Sequence, residues 1–258
     1  GQNITALEVS GTFDDCQQLV KEAFLNDDLR KKFFLTSANS INIARLIPQS
    51  FYYFNAYAQL KSDKPVVFSV PSGNFGNITG GLLAKRMGLP IHHFIAATNI
   101  NDVVPEYLHH GSFNPRPSRQ TISNAMDVGN PSNFVRMLEL FHHDFAALSK
   151  DISGYSFTDQ QTRDAMRDVF SNDGYILDPH GAIGYLGLKQ YMHNSTEKVT
   201  GIFLETAHPA KFKEVVEDTL QRSIPVPPAL EKFMQHEKKT IKMGADFRSF
   251  REFLLKEF

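Results

Sequence analysis

Short β-branched apolar runs alternate with amphipathic segments along most of this 258-residue chain. The runs predict strands near residues 4–9, 65–71, 91–98 and 198–206, each followed by residues with helical periodicity. Strands that alternate with helices favour an α/β fold in which a largely parallel sheet is flanked by helices. Ligands of such folds bind beyond the carboxyl ends of the strands, so we expect the loops that follow these runs to carry the function.

The predicted helices are residues 13–25, a long helix over 36–60 that is interrupted near Pro48, residues 78–88, 101–110, 132–148, 159–172 and 181–193, and a helix after TAHPAKF that runs through Leu220. Residues 111–133 contain many Pro, Gly, Ser and Asn residues, which is typical of a long ordered loop that borders a site. Residues 223–229 form a proline-rich connector, and a short helical tail is predicted after it.

Charge and cysteine content limit the classes of function. The chain has 27 Lys and Arg against 28 Asp and Glu, so no basic excess favours nucleic acid as a partner. No apolar run approaches the length that spans a membrane. Cys16 is the only cysteine, so no internal disulfide forms, which suits a cytoplasmic location. The chain begins with Gly1 almost directly before a predicted strand, and we expect it to be a piece of a longer protein.

The loop with the sequence SGNFGN joins a predicted buried strand to a predicted helix. Gly73 and Gly76 are able to adopt backbone angles closed to other residues and to let main-chain amides approach a ligand. The first turn of the next helix offers N–H groups and a partial positive charge, which suit a phosphate. A tight strand-to-helix turn explains the same glycines, and the local residues leave both interpretations open.

The loop TAHPAKF follows another predicted strand in the same way. Thr206 is placed either to bond a ligand or to cap a helix that has Pro209 at its first position. His208 and His180 also lie at predicted helix starts, where a lone histidine is usually structural. Three histidine doublets carry no metal-binding spacing, and we predict no metal site: they are residues 92–93, 109–110 and 142–143.

Seven segments together resemble the threonine synthase family in the family's own order. They are GTFDDCQ (11–17), SANSINIARL (37–46), SVPSGNFGN (69–77), FIAATNIND (94–102), SNAMDVGNPSN (123–133), DPHGAIGY (178–185) and TAHPAKFKE (206–214). The resemblance covers most of residues 1–220 and implies the fold-type II architecture of pyridoxal phosphate (PLP) enzymes. It also implies conversion of O-phospho-L-homoserine and water into L-threonine and phosphate.

The resemblance assigns roles to particular residues. It implies that the cofactor phosphate is bound by Gly73, Asn74, Phe75, Gly76 and Asn77. It further implies that Thr206 contacts the pyridine nitrogen, where a neutral hydroxyl favours the unprotonated ring. Ser37, Asn39 and Asn42 are expected to line the substrate cleft.

The family's Schiff-base lysine has no counterpart in this sequence, and the family gives neither Lys85 nor Lys211 that role. We therefore expect the chain alone to be inactive. By the same resemblance, residues 1–36 are a βα remnant of the small domain, 37–222 are the large PLP-binding domain, and 223–258 are a C-terminal helical extension. Two alternatives stay open: another fold-type II lyase such as an amino-acid dehydratase, and a non-catalytic homologue that binds phosphate or PLP.

Overall fold

A computed structural model describes residues 3–40, 42–234 and 236–258. The chain divides into two compact units. We call residues 38–225 the central unit, and residues 1–37 with 226–258 the terminal unit. Ile41, which belongs to the predicted interrupted helix, lies outside the described residues.

The strands of the described residues are β1 (Leu7–Ser10), β2 (Val66–Pro71), β3 (Ile91–Thr98), β4 (Ile152–Ser156), β5 (Thr200–Phe203) and β6 (Ile241–Gly244). The α-helices are α1 (Phe13–Leu25), α2 (Asp27–Lys32), α3 (Leu46–Ala58), α4 (Gly76–Arg86), α5 (Val103–His110), α6 (Phe134–Leu140), α7 (Phe145–Asp151), α8 (Asp159–Asp173), α9 (Pro179–Asn194), α10 (Lys213–Leu220), α11 (Pro228–Met234) and α12 (Phe247–Glu257). Short 3₁₀ helices occupy Ile43–Arg45, Asn124–Met126 and Pro209–Phe212. None of the helices in these ranges is long and apolar enough to cross a bilayer.

The central unit is built on a parallel four-stranded sheet in the order β4-β3-β2-β5. The inner strand β2 is buried along its whole length, as its β-branched residues predict. The predicted α/β class with a parallel sheet and flanking helices is therefore confirmed. Strand β4 was not predicted, because its five residues ISGYS include a glycine and two serines, which weaken the apolar signal of a strand.

Aromatic packing joins the sheet to the helices on one face. The rings of Tyr53 on α3, Phe68 on β2 and Phe94 on β3 are fully buried. The Tyr53 ring meets Phe68 edge-on at a centroid distance of 5.0 Å and Phe94 at 5.9 Å. Helix α4 comes close to these rings because Gly81 carries no side chain there. This packing fixes the position of α4 and hence of the loop that precedes it.

Two predicted helices differ in the structure. Pro48 is the third residue of α3 and does not interrupt the helix. Amides in the first turn of a helix have no intrahelical acceptor, so a proline there loses no hydrogen bond. The helix predicted over residues 132–148 is divided into α6 and α7. His142 and His143 between them have φ of 52° and 58°, a left-handed conformation that ends a helix.

The terminal unit contains a second, two-stranded sheet. Strands β1 and β6 pair in parallel, with Leu7 opposite Ile241 and Ser10 opposite Gly244. The tail that was predicted as a helical extension therefore contains a strand as well as α11 and α12. It groups with residues 1–37, because β1 and β6 supply each other's backbone hydrogen bonds. The short strand β6, sequence IKMG, has too few apolar residues for its pattern to be recognised.

Candidate functional site

The central unit contains a pocket of about 750 Å³. Its lining consists of residues 38–40, 71–77, 125–126 and 204–206, with Arg45, Gln49, Tyr52 and His180. Residues 72–77 follow the carboxyl end of β2, and residues 204–206 follow that of β5, its parallel neighbour. The pocket thus lies at the edge of the sheet where α/β folds bind ligands, as expected from the sequence.

Residues 72–77, the loop SGNFGN that is predicted to bind a phosphate, form one wall of this pocket. We call them the phosphate loop. Phe75 precedes α4 as its N-cap and makes no side-chain capping bond. Thr79 is the first residue whose amide bonds back, to the carbonyl of Phe75 at 3.1 Å. The amides of Gly76, Asn77 and Ile78 therefore have no intrahelical acceptor. They present hydrogen-bond donors and the positive end of the helix dipole, which together favour an anion.

The two glycines of this loop act differently from the prediction. The left-handed residue is Phe75, with φ of 60°, while no positive φ occurs at Gly73 or Gly76. A Cβ on Gly73 would lie 2.7 Å from Met126 Cα. Gly73 is therefore required for contact with residues 125–126, and the unusual backbone angle that a glycine permits is not used there.

Polar side chains hold the phosphate loop from behind. Asn74 Oδ1 accepts hydrogen bonds from the amide and hydroxyl of Ser132, at 2.7 and 3.0 Å. Asn133 donates to the Asn74 carbonyl and to Ser40 Oγ, both at 2.9 Å. Asn133 itself is fully buried. Residues 129–133, with the sequence GNPSN, thus fix the phosphate loop. The sequence did not show this role, because Ser132 lies 58 positions along the chain from Asn74.

The loop of residues 111–133 is ordered, as predicted. Asp127 Oδ1 accepts hydrogen bonds from Thr121 Oγ1 at 2.7 Å and from Asn99 Nδ2 at 2.9 Å. Burial raises the pKa of Asp127 above its usual value, against the lowering effect of the hydrogen bonds from Thr121 and Asn99. This network holds the loop so that Ala125 and Met126 reach the pocket.

The other candidate residues separate into two groups. Thr206 lines the pocket and is exposed. It does not cap the following 3₁₀ helix, whose cap is His208 through a bond from the Ala210 amide to Nδ1 at 3.1 Å. Asn39 also lines the pocket. Asn42 instead caps the 3₁₀ helix at Ile43–Arg45, and Ser37 belongs to the terminal unit.

One polar cluster at the pocket was not predicted from the sequence. His180, which lines the pocket, is bonded through Nδ1 to Asp178 Oδ1 at 2.7 Å. The amide of Ala125 donates to His180 Nε2 at 3.3 Å. Glu205, at the end of β5, also lines the pocket. The sequence signal was the Asp-Pro-His start of α9, in which Asp178 is the helix cap.

The histidine doublets lie apart from this pocket. Within the described ranges, no group of three or more His, Cys, Asp or Glu side chains is arranged to hold a metal ion. His92 faces Glu197 at 3.2 Å, while His93 bonds Ser153 Oγ at 2.8 Å. Adjacent residues of a strand thus contact different partners.

Comparison with known proteins places these features in a family context. Residues 1–204 match the family described as pyridoxal-phosphate dependent enzyme, and residues 181–254 match the C-terminal region of threonine synthase. The threonine synthase of Haemophilus influenzae is 48% identical over 99% of this chain and 60% of its own length. The Escherichia coli K12 enzyme of that name is 43% identical over 99% of the chain and 59% of its own length.

Solved structures agree with the sequence matches. The crystal structure of Escherichia coli threonine synthase superposes with a TM-score of 0.93 at 42% identity, covering all of this chain and 60% of that one. PLP-bound threonine synthase from Brucella melitensis superposes with a TM-score of 0.82 at 35% identity, over 98% of this chain and 59% of that one. The chain thus spans about 60% of the length of these relatives. The matches do not favour a dehydratase or a non-catalytic homologue.

Proposed function

We propose, from the premise that this chain belongs to the pyridoxal-phosphate dependent enzyme family, that it forms most of the cofactor site of a threonine synthase. The whole protein would convert O-phospho-L-homoserine and water into L-threonine and phosphate, acting as a carbon–oxygen lyase on a phosphate ester. The observation that carries this proposal is the meeting of the unpaired first-turn amides of α4 and the Thr206 hydroxyl in one pocket.

The residues of the pocket fit pyridoxal phosphate in size and chemistry. A volume of about 750 Å³ is within the range of cofactor pockets. The first turn of α4 offers main-chain donors for the phosphate, and Phe75 supplies no capping oxygen that would compete for them. Thr206 offers a neutral hydroxyl at another wall. When bound, the cofactor supplies an electron sink for negative charge that develops on substrate carbon atoms.

The chain's own residues have separate tasks in this proposal. Residues 73–77 hold the phosphate, and Asn133 and Ser132 keep that loop in place. Thr206 contacts the ring nitrogen without protonating it. Asn39, which lines the same pocket, is proposed to contact the substrate, whereas the expected roles of Ser37 and Asn42 in the substrate cleft stay predictions.

The covalent attachment of the cofactor is proposed to come from outside this sequence. No lysine is among the pocket-lining residues that the structure describes. Lys211 belongs to the 3₁₀ helix at Pro209–Phe212 and lies over the Phe212 ring, while Lys85 pairs with Asp151 at 3.0 Å. We propose that the relatives' remaining 40% contains the cofactor lysine, and that this chain alone lacks catalytic turnover.

Replacement of Thr206 and Gly73 in the complete protein tests the cofactor site. Thr206→Val should retain pyridoxal phosphate but reduce phosphate release from O-phospho-L-homoserine, and Thr206→Ser should restore it. Gly73→Ala should weaken cofactor affinity by about tenfold or more, because the loop must move away from Met126. Full turnover of Thr206→Val, or unchanged cofactor affinity of Gly73→Ala in equilibrium dialysis, would contradict the proposal.

A further inference from the structure

The carboxyl group of Glu205 reaches from the pocket wall to the start of α9. A Cβ on Gly181, in the first turn of α9, would lie only 1.9 Å from Glu205 Oε1. The missing side chain of Gly181 thus provides the space for this carboxyl group. Among the described residues, Glu205 Oε1 and Asp178 Oδ2 are both buried oxygen atoms to which no N–H or O–H group donates. Asp178 is also the charged group that acts on Glu205.

A single shared proton satisfies both oxygen atoms. Burial, together with the hydrogen bond and negative charge of Asp178, raises the pKa of Glu205 from 4.5 to about 9. Burial also acts to raise the pKa of Asp178, but hydrogen bonds from His180 and Glu205 outweigh it and leave that pKa below its usual value. Two carboxyl groups in contact cannot both ionise cheaply, so Glu205 carries the proton at neutral pH. The other titratable groups that face the pair are His180 and Tyr175.

The protonation of this pair determines how His180 bonds. Asp178 Oδ1 faces His180 Nδ1 at 2.7 Å, and the Ala125 amide donates to Nε2 at 3.3 Å. Nε2 is therefore an acceptor, and the ring proton is on Nδ1, where it bonds the carboxylate of Asp178. The contact fixes Ala125 and Met126, against which Gly73 packs with no space for a Cβ.

We propose that Glu205 is a positioning residue that acts as a neutral acid: its proton bonds Asp178, which orients His180, which in turn holds residues 125–126 against the phosphate loop. Its carboxyl group touches no reacting atom in this role. Only the identity of the bound anion rests on the function proposed above, since the proton-sharing pair is a property of the folded chain.

The pH dependence of stability tests the shared proton. In Glu205→Gln the amide donates to Asp178 at every pH, whereas the native folded state keeps a proton that the unfolded state has lost above pH 4.5. The native folding constant should therefore fall, relative to that of Glu205→Gln, by up to about tenfold per pH unit until about pH 9. Glu214→Gln, an exposed substitution on α10, should follow the native profile. Parallel profiles for native protein and Glu205→Gln would overturn the proposal.

Anion binding and the His180 tautomer test the positioning role. Glu205→Gln should bind inorganic phosphate and pyridoxal phosphate at pH 7 within about twofold of the native protein. Glu205→Leu leaves Asp178 Oδ2 unpaired and should weaken both by about tenfold. Nitrogen-15 NMR should show His180 protonated on Nδ1 in the native protein and Glu205→Gln, and a mixture of the two ring tautomers in Glu205→Leu, in which Glu205 no longer holds Asp178 in the orientation that Nδ1 needs.

Two results would contradict the positioning role of Glu205. A pH titration of anion affinity replaces the Glu205→Leu comparison if that variant does not fold. A folded Glu205→Leu with native affinity and a native His180 tautomer would overturn it. If Glu205→Leu does not fold, native anion affinity should fall as pH rises through about 9, while that of Glu205→Gln does not; equal pH profiles would overturn the role. Failure of every variant, native included, to bind either anion would contradict the proposed function, and the His180 tautomer would still decide the role of Glu205.

Discussion

At the scale of single residues, Tyr53 connects the aromatic core to the phosphate loop. Its hydroxyl lies 3.0 Å from the carbonyl oxygen of Asn77 and 2.9 Å from Asn77 Oδ1, and it donates its one proton to either. Burial raises the pKa of Tyr53, so the donor is retained at every physiological pH. The side chain therefore fixes the first turn of α4, whose amides face the pocket.

Tyr53→Phe should keep the ring packing and remove this bond. The loss removes the hydrogen bond to the half-buried Asn77 and should lower the free energy of unfolding by about 1 kcal/mol. Pyridoxal phosphate affinity of the complete protein should fall as well, because the first turn becomes less ordered. Urea unfolding and equilibrium dialysis measure the two effects. Tyr57→Phe, one turn along α3, is the matched control, and equal behaviour of the two variants would contradict the assignment.

His93 should make the protein sensitive to acid. The imidazole stacks on Tyr191 at 5.1 Å and bonds Ser153. Burial, with a smaller contribution from the neighbouring His92, lowers its pKa from 6.5 to about 4. Between these values the unfolded state binds a proton that the folded state does not. Stability should therefore decrease as pH falls through this range, by about 3 kcal/mol in total.

A comparison of variants isolates that contribution. Unfolding of His93→Gln should show a flatter pH profile between 6.5 and 4, because the variant has no titrating group at this position. His193→Gln, exposed on α9, serves as the control and should keep the native profile. A difference between native protein and His93→Gln that stays constant with pH would show that His93 is not buried in its neutral form.

At the scale of elements, the contact between α3 and α4 depends on a glycine. A Cβ on Gly81 would lie 2.6 Å from Cζ of Tyr53 and 2.7 Å from Cε1 of Phe94. Both rings are fully buried and have no space into which to move. The sequence predicted α4 as a helix. The spacing of its apolar residues did not show why the interior of this helix contains two adjacent glycines.

Gly81→Ala sets helix propensity against packing. Alanine favours a helix over glycine by about 1 kcal/mol, but overpacking against the two rings should cost about 1–3 kcal/mol. We expect a net loss of stability and a loosened phosphate loop. Gly184→Ala on α9 is the control, since its nearest neighbour is Pro71 Cδ at 3.2 Å and the others are beyond 3.5 Å. Thermal unfolding should rank the control above Gly81→Ala; the reverse order would contradict tight packing at Gly81.

At the scale of the whole molecule, the two ends of the chain fold together. The Ile241 amide donates to the Ala6 carbonyl at 2.9 Å, and Glu8 accepts from Thr240 Oγ1 at 2.8 Å. These contacts join residues more than 230 positions apart. The structure groups the chain into two compact units, one of which contains both ends, and the division into three consecutive domains stays a prediction.

Ile241→Pro should open this pairing selectively. Proline has no amide to donate to Ala6, so hydrogen exchange in β1 should become about tenfold faster or more. Lys239→Pro, just before β6, is the control and should leave β1 protected. Exchange at β1 that is unchanged in Ile241→Pro would contradict the parallel pairing of the two ends.

The sequence by itself determined the class of fold and much of the pocket. Period-two and helical patterns are local, so β2, β3 and α4 were found close to their actual bounds. The loops that contain residues 73–77 and Thr206 were located because loops after parallel strands meet at one edge of a sheet, and the family resemblance selected these residues within them. Both segments line the same pocket in the structure, and their binding roles stay a proposal.

Only the tertiary structure decided the contacts between distant segments. Three such contacts produce no periodic pattern in the sequence. They are the Asp178–His180–Glu205 cluster, the support of Asn74 by Ser132 and Asn133, and the pairing of β1 with β6. Apart from Asp178 and His180, the partners are far apart along the chain, and a single polar residue looks the same in a sequence whether it is solvated or buried. Burial then changes its chemistry, since desolvation is what makes Glu205 a neutral acid, and burial is a property that only the folded chain possesses.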